Sequence, residues 1–244
     1  MENPKEGPVA MTLNPPFPSY LGRLKSLCQG RPEAAEWLED EKWLGFCLVW
    51  LFGGLFLYGF AIGWWRAPLQ AWYGALKTPV LMAVTLSGTA LANWMMAQLM
   101  GAALSFRKTL LIQLMGYVVL VTILLSLIPL ALFMDSTVPS ALGTGALVGQ
   151  AVVTFFQVFA VGGAGVAAYI RLFHLIEHAC RSRATARWIL LLWMAANLFL
   201  GSHLSWYFRP FIGNPSIPVE FFSNVAFVKG SFLGDLTEKA GRLY

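Results

Sequence analysis

All 29 Asp, Glu, Lys and Arg residues of this 244-residue chain lie outside five long stretches: 43–65, 78–106, 109–134, 136–170 and 188–208. His203 is the one strongly basic or acidic group inside them. A helix needs roughly 20 apolar residues to cross the hydrocarbon core, and a charge at its centre costs at least about 2.5 kcal/mol. Water imposes no such exclusion. The expected fold class is therefore all-α: a polytopic membrane helical bundle of about five transmembrane helices, with interfacial amphipathic helices beside them.

Composition agrees. Hydrophobic residues make up 57% and charged residues 12%, whereas about a quarter of soluble-protein residues are charged. The net charge of +5 does not point to nucleic acid, because the basic residues flank the apolar runs, where they set orientation. The expected partners are the lipid bilayer and other membrane protein subunits. Cys28, Cys47 and Cys180 are odd in number and widely spaced, so no disulfide framework is indicated. Prolines and both charge signs precede the first apolar run, so the first span is expected to double as an uncleaved insertion signal.

Three regions follow. Residues 1–42 form a proline-rich N-terminal segment. Within it, Tyr20, Leu21, Leu24, Leu27 and Cys28 recur at helical spacing, which predicts a short surface helix capped by Ser19. Pro32 then suits the first turn of a helix running into span one. Residues 43–208 hold the five spans, at about 43–65, 79–101, 109–134, 146–170 and 188–208. Between the first two, Leu69, Trp72, Tyr73 and Leu76 form a stripe flanked by Arg66 and Lys77. Its ten residues are too few to cross, so a separate interfacial helix is expected. Residues 209–244 form a membrane-hugging tail, in which Val225, Val228, Phe232 and Leu236 recur at helical intervals. With the N-terminus inside, cytoplasmic segments carry 11 Lys and Arg against 6 outside. This predicts a cytoplasmic N-terminus and an external C-terminus; the expected location is a bacterial inner membrane.

Glycines four apart, Gly59 with Gly63 and Gly145 with Gly149, mark small-residue helix-packing faces, as does Gly163. The string Gly163–Ala168 superficially fits a dinucleotide fingerprint. That motif needs a strand–turn–helix setting, which a membrane span denies it. His174 and His178, with Glu177 between them, are the remote metal candidates on a helix face, but they lack a third ligand nearby. No metal, cofactor or catalytic residue is expected. His203, with Ser202 and Ser205, is accompanied by no triad.

The amides and hydroxyls within spans are Asn93, Gln98, Gln113, Thr122, Gln150, Thr154, Gln157 and Asn197. They either bond neighbouring helices or line a path for an uncharged solute. After span five, Trp206, Tyr207, Arg209, Pro210 and Phe211 lead into a turn-rich segment. Together with Phe222 and Phe232 these are the candidate residues for docking a partner.

The five-span layout over roughly residues 66–208, with a proline-bearing N-terminus inside and a short C-terminus outside, resembles the Yip-type, Rab-interacting membrane proteins and their bacterial relatives. The string Ser205–Pro215 is similar to the ends of bacterial multi-pass proteins. The resemblance implies a membrane-organising or adaptor role and names no catalytic residues. Sequence therefore favours a non-enzymatic scaffold or accessory subunit of a larger membrane assembly. The alternative is a permease or channel for a small uncharged solute.

Overall fold

The computed structural model describes residues 17–177, 179–216, 218–222 and 232–241. They form helices and turns without a strand. Helix α1 (Phe17–Cys28) is followed by a 3-10 turn, Pro32–Trp37. Five long helices come next: α2 (Glu41–Gly63), α3 (Pro68–Leu99), α4 (Phe106–Thr137), α5 (Ala146–Glu177) and α6 (Arg183–Phe208). A short α7 (Phe232–Ala240) ends the described chain. All five long helices are apolar and long enough to cross a membrane. The protein is an all-α, multi-pass membrane bundle.

Successive long helices run antiparallel, so one end of the bundle carries α1 and the other carries the segment after α6. At the α1 end, Asp40 caps α2 by accepting from the backbone of Lys42 at 3.0 Å and of Trp43 at 3.3 Å, and it pairs with Arg23 at 2.6 Å. Ser105 and Ser182 cap α4 and α6 in the same way, accepting from the backbone N–H of Lys108 and Thr185. The expected continuous helix from Pro32 into span one is thus two elements, because the Asp40 cap starts α2 afresh. Beyond lying on a surface, α1 buries Leu24 and Leu27 in the bundle core beside Trp43. The side chain of Ser19, its expected cap, falls outside the described residues.

The expected interfacial helix after span one is corrected. Residues 68–77 are the first ten of α3, which continues through Pro79 to Leu99. Its 32 residues reach about 48 Å, well beyond the roughly 30 Å hydrocarbon core. What keeps this end upright is the face opposite the stripe. Gly59 and Gly63 of α2 meet Gly74 and Ala71 of α3 backbone to backbone: a Cβ built at Gly59 would stand 2.4 Å from the Gly74 oxygen, and one at Gly63 2.7 Å from Ala71 Cα. Small residues on both sides allow this approach. Leu69, Trp72 and Leu76 are the outward, lipid-side surface of the same helix, each about half exposed.

Gly149 likewise lies against the Pro139 carbonyl of the α4–α5 turn. Gly145, expected to pack a helix, instead has φ +88° in the turn before α5, where its missing Cβ matters for the bend. Gly163 is exposed, and a Cβ there would meet nothing within 4 Å. It packs no neighbouring helix.

Candidate functional site

Between α2, α3, α4, α5 and α6 lies a cavity of about 890 Å³. Its walls are mostly apolar: Leu55 and Ile62 from α2, Leu81 and Met82 from α3, Leu120 and Leu124 from α4, Val158 and Val161 from α5. It reaches the bundle surface beside α6, where Phe199, His203 and Tyr207 on its rim are exposed.

The floor is polar and tightly bonded. Asn197 of α6 accepts at Oδ1 from the Tyr117 hydroxyl of α4 at 2.6 Å, and the Thr89 hydroxyl of α3 lies 2.9 Å from the same oxygen. Its Nδ2 donates to the Tyr169 hydroxyl of α5 at 2.7 Å and to the Trp193 carbonyl at 2.8 Å. One amide therefore ties four helices together. Beneath it the bundle is closed by Trp193, Ile189, Leu172, Ile176, Ile112 and Met115, all fully buried. The cavity is blind. Higher on the wall, the Tyr58 hydroxyl of α2 donates to Gln157 Oε1 of α5. Gln157 Nε2 is buried and has no hydrogen-bond partner.

The roof is the segment after α6. Gln70 Nε2 donates to both the Pro210 and the Phe211 carbonyls at 2.9 Å. Gln150 Nε2 donates to the Gly213 carbonyl at 2.7 Å, and Arg66 Nε to the Asn214 carbonyl at 3.3 Å. Gly213 has φ +91°, and a Cβ there would meet Arg66 Cγ at 2.7 Å, so glycine is needed twice over. Lys77, 1% exposed, donates to the Pro210 carbonyl at 3.1 Å beneath the rings of Phe221 and Phe222, 4.7 and 5.1 Å away. Such cation–π contacts replace part of the lost hydration.

These contacts relocate the expected docking residues. Trp206 and Phe211 line the cavity, and Tyr207 sits on its rim. The Arg209 guanidinium stacks on Trp206, 3.3 Å from the ring centroid. Pro210 carries the carbonyl shared by Gln70 and Lys77. Phe222 packs edge-on against Phe208 and Phe221. Phe232 opens α7, and its side chain lies outside the described residues, as do residues 223–231, with Val225 and Val228 of the expected tail helix. The tail up to Phe222 is folded onto its own bundle.

The other candidates disperse. Of the span amides and hydroxyls, Thr154, Gln157 and Asn197 line the cavity. Gln98 bonds the Leu104 carbonyl, and Thr122 accepts from Trp50. Asn93 and Gln113 are buried with both side-chain polar atoms unpartnered, and neither lines the cavity. Glu177 is paired with Arg183 and lies 3.5 Å from His174. His178 is outside the described residues, and among those described no three His, Cys, Asp or Glu side chains converge as metal ligands. His203 Nδ1 lies 2.8 Å from the Phe199 carbonyl of its own helix, which accepts from it in the Nδ1–H tautomer.

Sequence reasoning missed Tyr58, Gln70, Thr89, Tyr117 and Tyr169, whose hydrogen bonds depend on distant partners, and above all Lys77. Its signal was positional: Gln70, Gly74, Lys77 and Thr78 share the face opposite the apolar stripe, and a small or polar face on a membrane helix turns inward. No protein-family model, no curated protein and no solved structure matches this chain.

Proposed function

We propose that this protein is a non-enzymatic, membrane-embedded binding protein that houses an uncharged, predominantly apolar molecule. The observation that carries this is the blind cavity at the core of the bundle, reached from the side through the α6 rim. Its volume falls within the 300–1,000 Å³ typical of small-molecule sites, and an apolar lining with a few convergent polar groups is their usual character. A water-filled pore would need polar walls and two openings, and this cavity is floored by a bonded polar layer over packed side chains. Orientation follows from charge: with Lys77 taken up beneath the roof, the basic balance tilts further toward a cytoplasmic α1 end. On that orientation the cavity would lie in the external half of the membrane, and the membrane proposed is a bacterial inner membrane.

Gly162 offers a clean test. It lines the cavity, and a Cβ there would meet nothing within 4 Å, so a side chain can start there in open space and Gly162→Phe is chosen to fill the cavity. The wild-type protein, purified in mild detergent and extracted with organic solvent, is expected to yield a stoichiometric apolar molecule by mass spectrometry. G162F is expected to yield none at an unchanged Tm. Absence of any retained or bindable apolar molecule in the wild type sinks the proposal.

A second reading, the accessory subunit of a larger assembly, draws support from the exposed lipid-side aromatics Phe159 and Phe199. Retention of the same partner subunit through mild-detergent purification tests it, and a monodisperse lone chain would count against it.

A further inference from the structure

The cavity's hydrogen-bonding groups restrict what its occupant can carry. Most are already committed. The hydroxyls of Thr78, Thr85 and Thr154 donate to the carbonyls of Gly74, Leu81 and Gln150, one turn back on their own helices, at 2.7–2.8 Å. Ser202 and Ser205 do the same with Phe199 and Ser202. The Tyr117 proton and both Asn197 amide protons are used in the floor.

Gln157 differs. Its side chain is only 8% exposed, and the Tyr58 hydroxyl fixes the amide by donating to Oε1. Among the described residues that line the cavity, Gln157 is then the one with a buried, unpartnered side-chain atom, its Nε2. A buried donor without an acceptor costs about 1–3 kcal/mol, and hydrocarbon supplies no water to relieve it. Tyr169, about 18 Å further along α5, adds to the imbalance. Its hydroxyl accepts from Asn197, so its own proton is left to donate. Two donors thus lack an acceptor, Gln157 Nε2 and the Tyr169 hydroxyl, and among the described residues no Asp, Glu, Lys or Arg lines the cavity.

We propose that the occupant is an uncharged lipid-soluble molecule bearing a carbonyl oxygen, which Gln157 Nε2 receives as its specific hydrogen bond. This rests on the cavity being a ligand site, as proposed above. A carboxylate or an amine would enter without a counter-charge. A group that only donates would leave Gln157 Nε2 without an acceptor. Two sources supply the required chemistry: the ester of a neutral glyceride, and the ketone of a prenylated quinone.

Native mass spectrometry of the full chain in mild detergent separates the possibilities with three probes. Decyl-benzoquinone and monoolein carry the carbonyl, and decylbenzene has a chain and ring without one. At least one carbonyl probe is expected to bind about tenfold tighter than decylbenzene, the worth of one such bond. Gln157→Leu is expected to erase that preference, so that the carbonyl probes bind no tighter than decylbenzene. Tyr58→Phe keeps the glutamine but frees its amide, and should reduce the preference about two- to threefold even where Q157L fails to fold. A preference for the quinone or for the glyceride identifies the source, and either supports the proposal. Equal binding of all three probes, or a preference untouched by both substitutions, overturns it and leaves the cavity reading standing. Binding of none of the three overturns both.

Discussion

Replacing Gly59 with alanine tests how α2 and α3 are held together. The added Cβ would stand 2.4 Å from the Gly74 oxygen and 2.5 Å from Thr78 Oγ1, where ordinary contact begins at 3.4 Å. The helices must therefore part by about 1 Å. Gly74 presents backbone, which cannot rotate away, and Gly63 makes the same kind of approach one turn on, 2.5 Å from the Gln70 oxygen. A radial gap of 0.5–1 Å forfeits a quarter to a half of each dispersion contact, and overpacking of this kind typically costs about 1–3 kcal/mol. Helix propensity works the other way, by up to about 1 kcal/mol. Gly163→Ala is the matched control: the same atom is added to the same kind of helix in open space, so only the propensity gain remains. In SDS titrations from mixed micelles, followed by tryptophan fluorescence, G59A is expected to unfold about 1–3 kcal/mol more easily than G163A, because the propensity gain cancels between the two variants. G163A should be unchanged or slightly more stable. Should the two variants fall within about 0.5 kcal/mol of each other, close backbone approach would not be what joins α2 to α3.

Asn197→Leu breaks three cross-helix contacts at the cavity floor, and at about 0.6 kcal/mol each the loss of stability should be near 2 kcal/mol in the same titration. Gln70→Leu leaves the Pro210 and Phe211 carbonyls without that donor; limited proteolysis should then cut between 209 and 222 faster, with the global unfolding midpoint little changed. The Arg23 hydrogen bond is the main cause holding the Asp40 carboxyl below its usual range. A depressed folded-state pKa gives stability that is complete above about pH 4 and lost as pH falls through the lowered value. The Tm advantage of wild type over Asp40→Asn should accordingly be present at neutral pH and vanish in strong acid.

The spans were legible because exclusion of charge is a property of the solvent and needs no tertiary information. The α2–α3 contact was half legible: Gly59 and Gly63 four apart mark a face, but the partner face on α3 was read as an interfacial stripe. Leu69, Trp72 and Leu76 satisfy the same periodicity whether the helix lies on the membrane or stands in it with that side toward lipid. Lys77 misled for a related reason. A cation beside an apolar run ordinarily snorkels to water, and only the returning tail, with Phe221, Phe222 and the Pro210 carbonyl, gives it somewhere else to go. Such a partner, 133 residues away in sequence, is invisible to local pattern. Gln157 and Asn197 were named as pathway candidates together with Gln113, yet one set lines the cavity and the other does not. The depth and rotation of each helix decide this, and both are set by packing.

An apolar cavity inside a membrane protein obeys a different selection rule from one in water. A ligand leaving water for a greasy pocket gains about 25 cal/mol for each Å² of apolar surface removed. One leaving the bilayer gains almost nothing from the walls, since lipid tails are as apolar as Leu55, Leu120 or Val161. Any bound molecule also competes with lipid chains that can enter beside Phe199. Shape therefore excludes misfits but cannot by itself favour one lipid over the many surrounding it. Discrimination must come from the few groups whose demands the bilayer tails leave unmet, and Gln157 Nε2 is the buried wall donor in that position. If the cavity is the ligand site proposed above, its apolar lining sets what can fit, while Tyr58, by holding the Gln157 amide in one orientation, sets what is chosen.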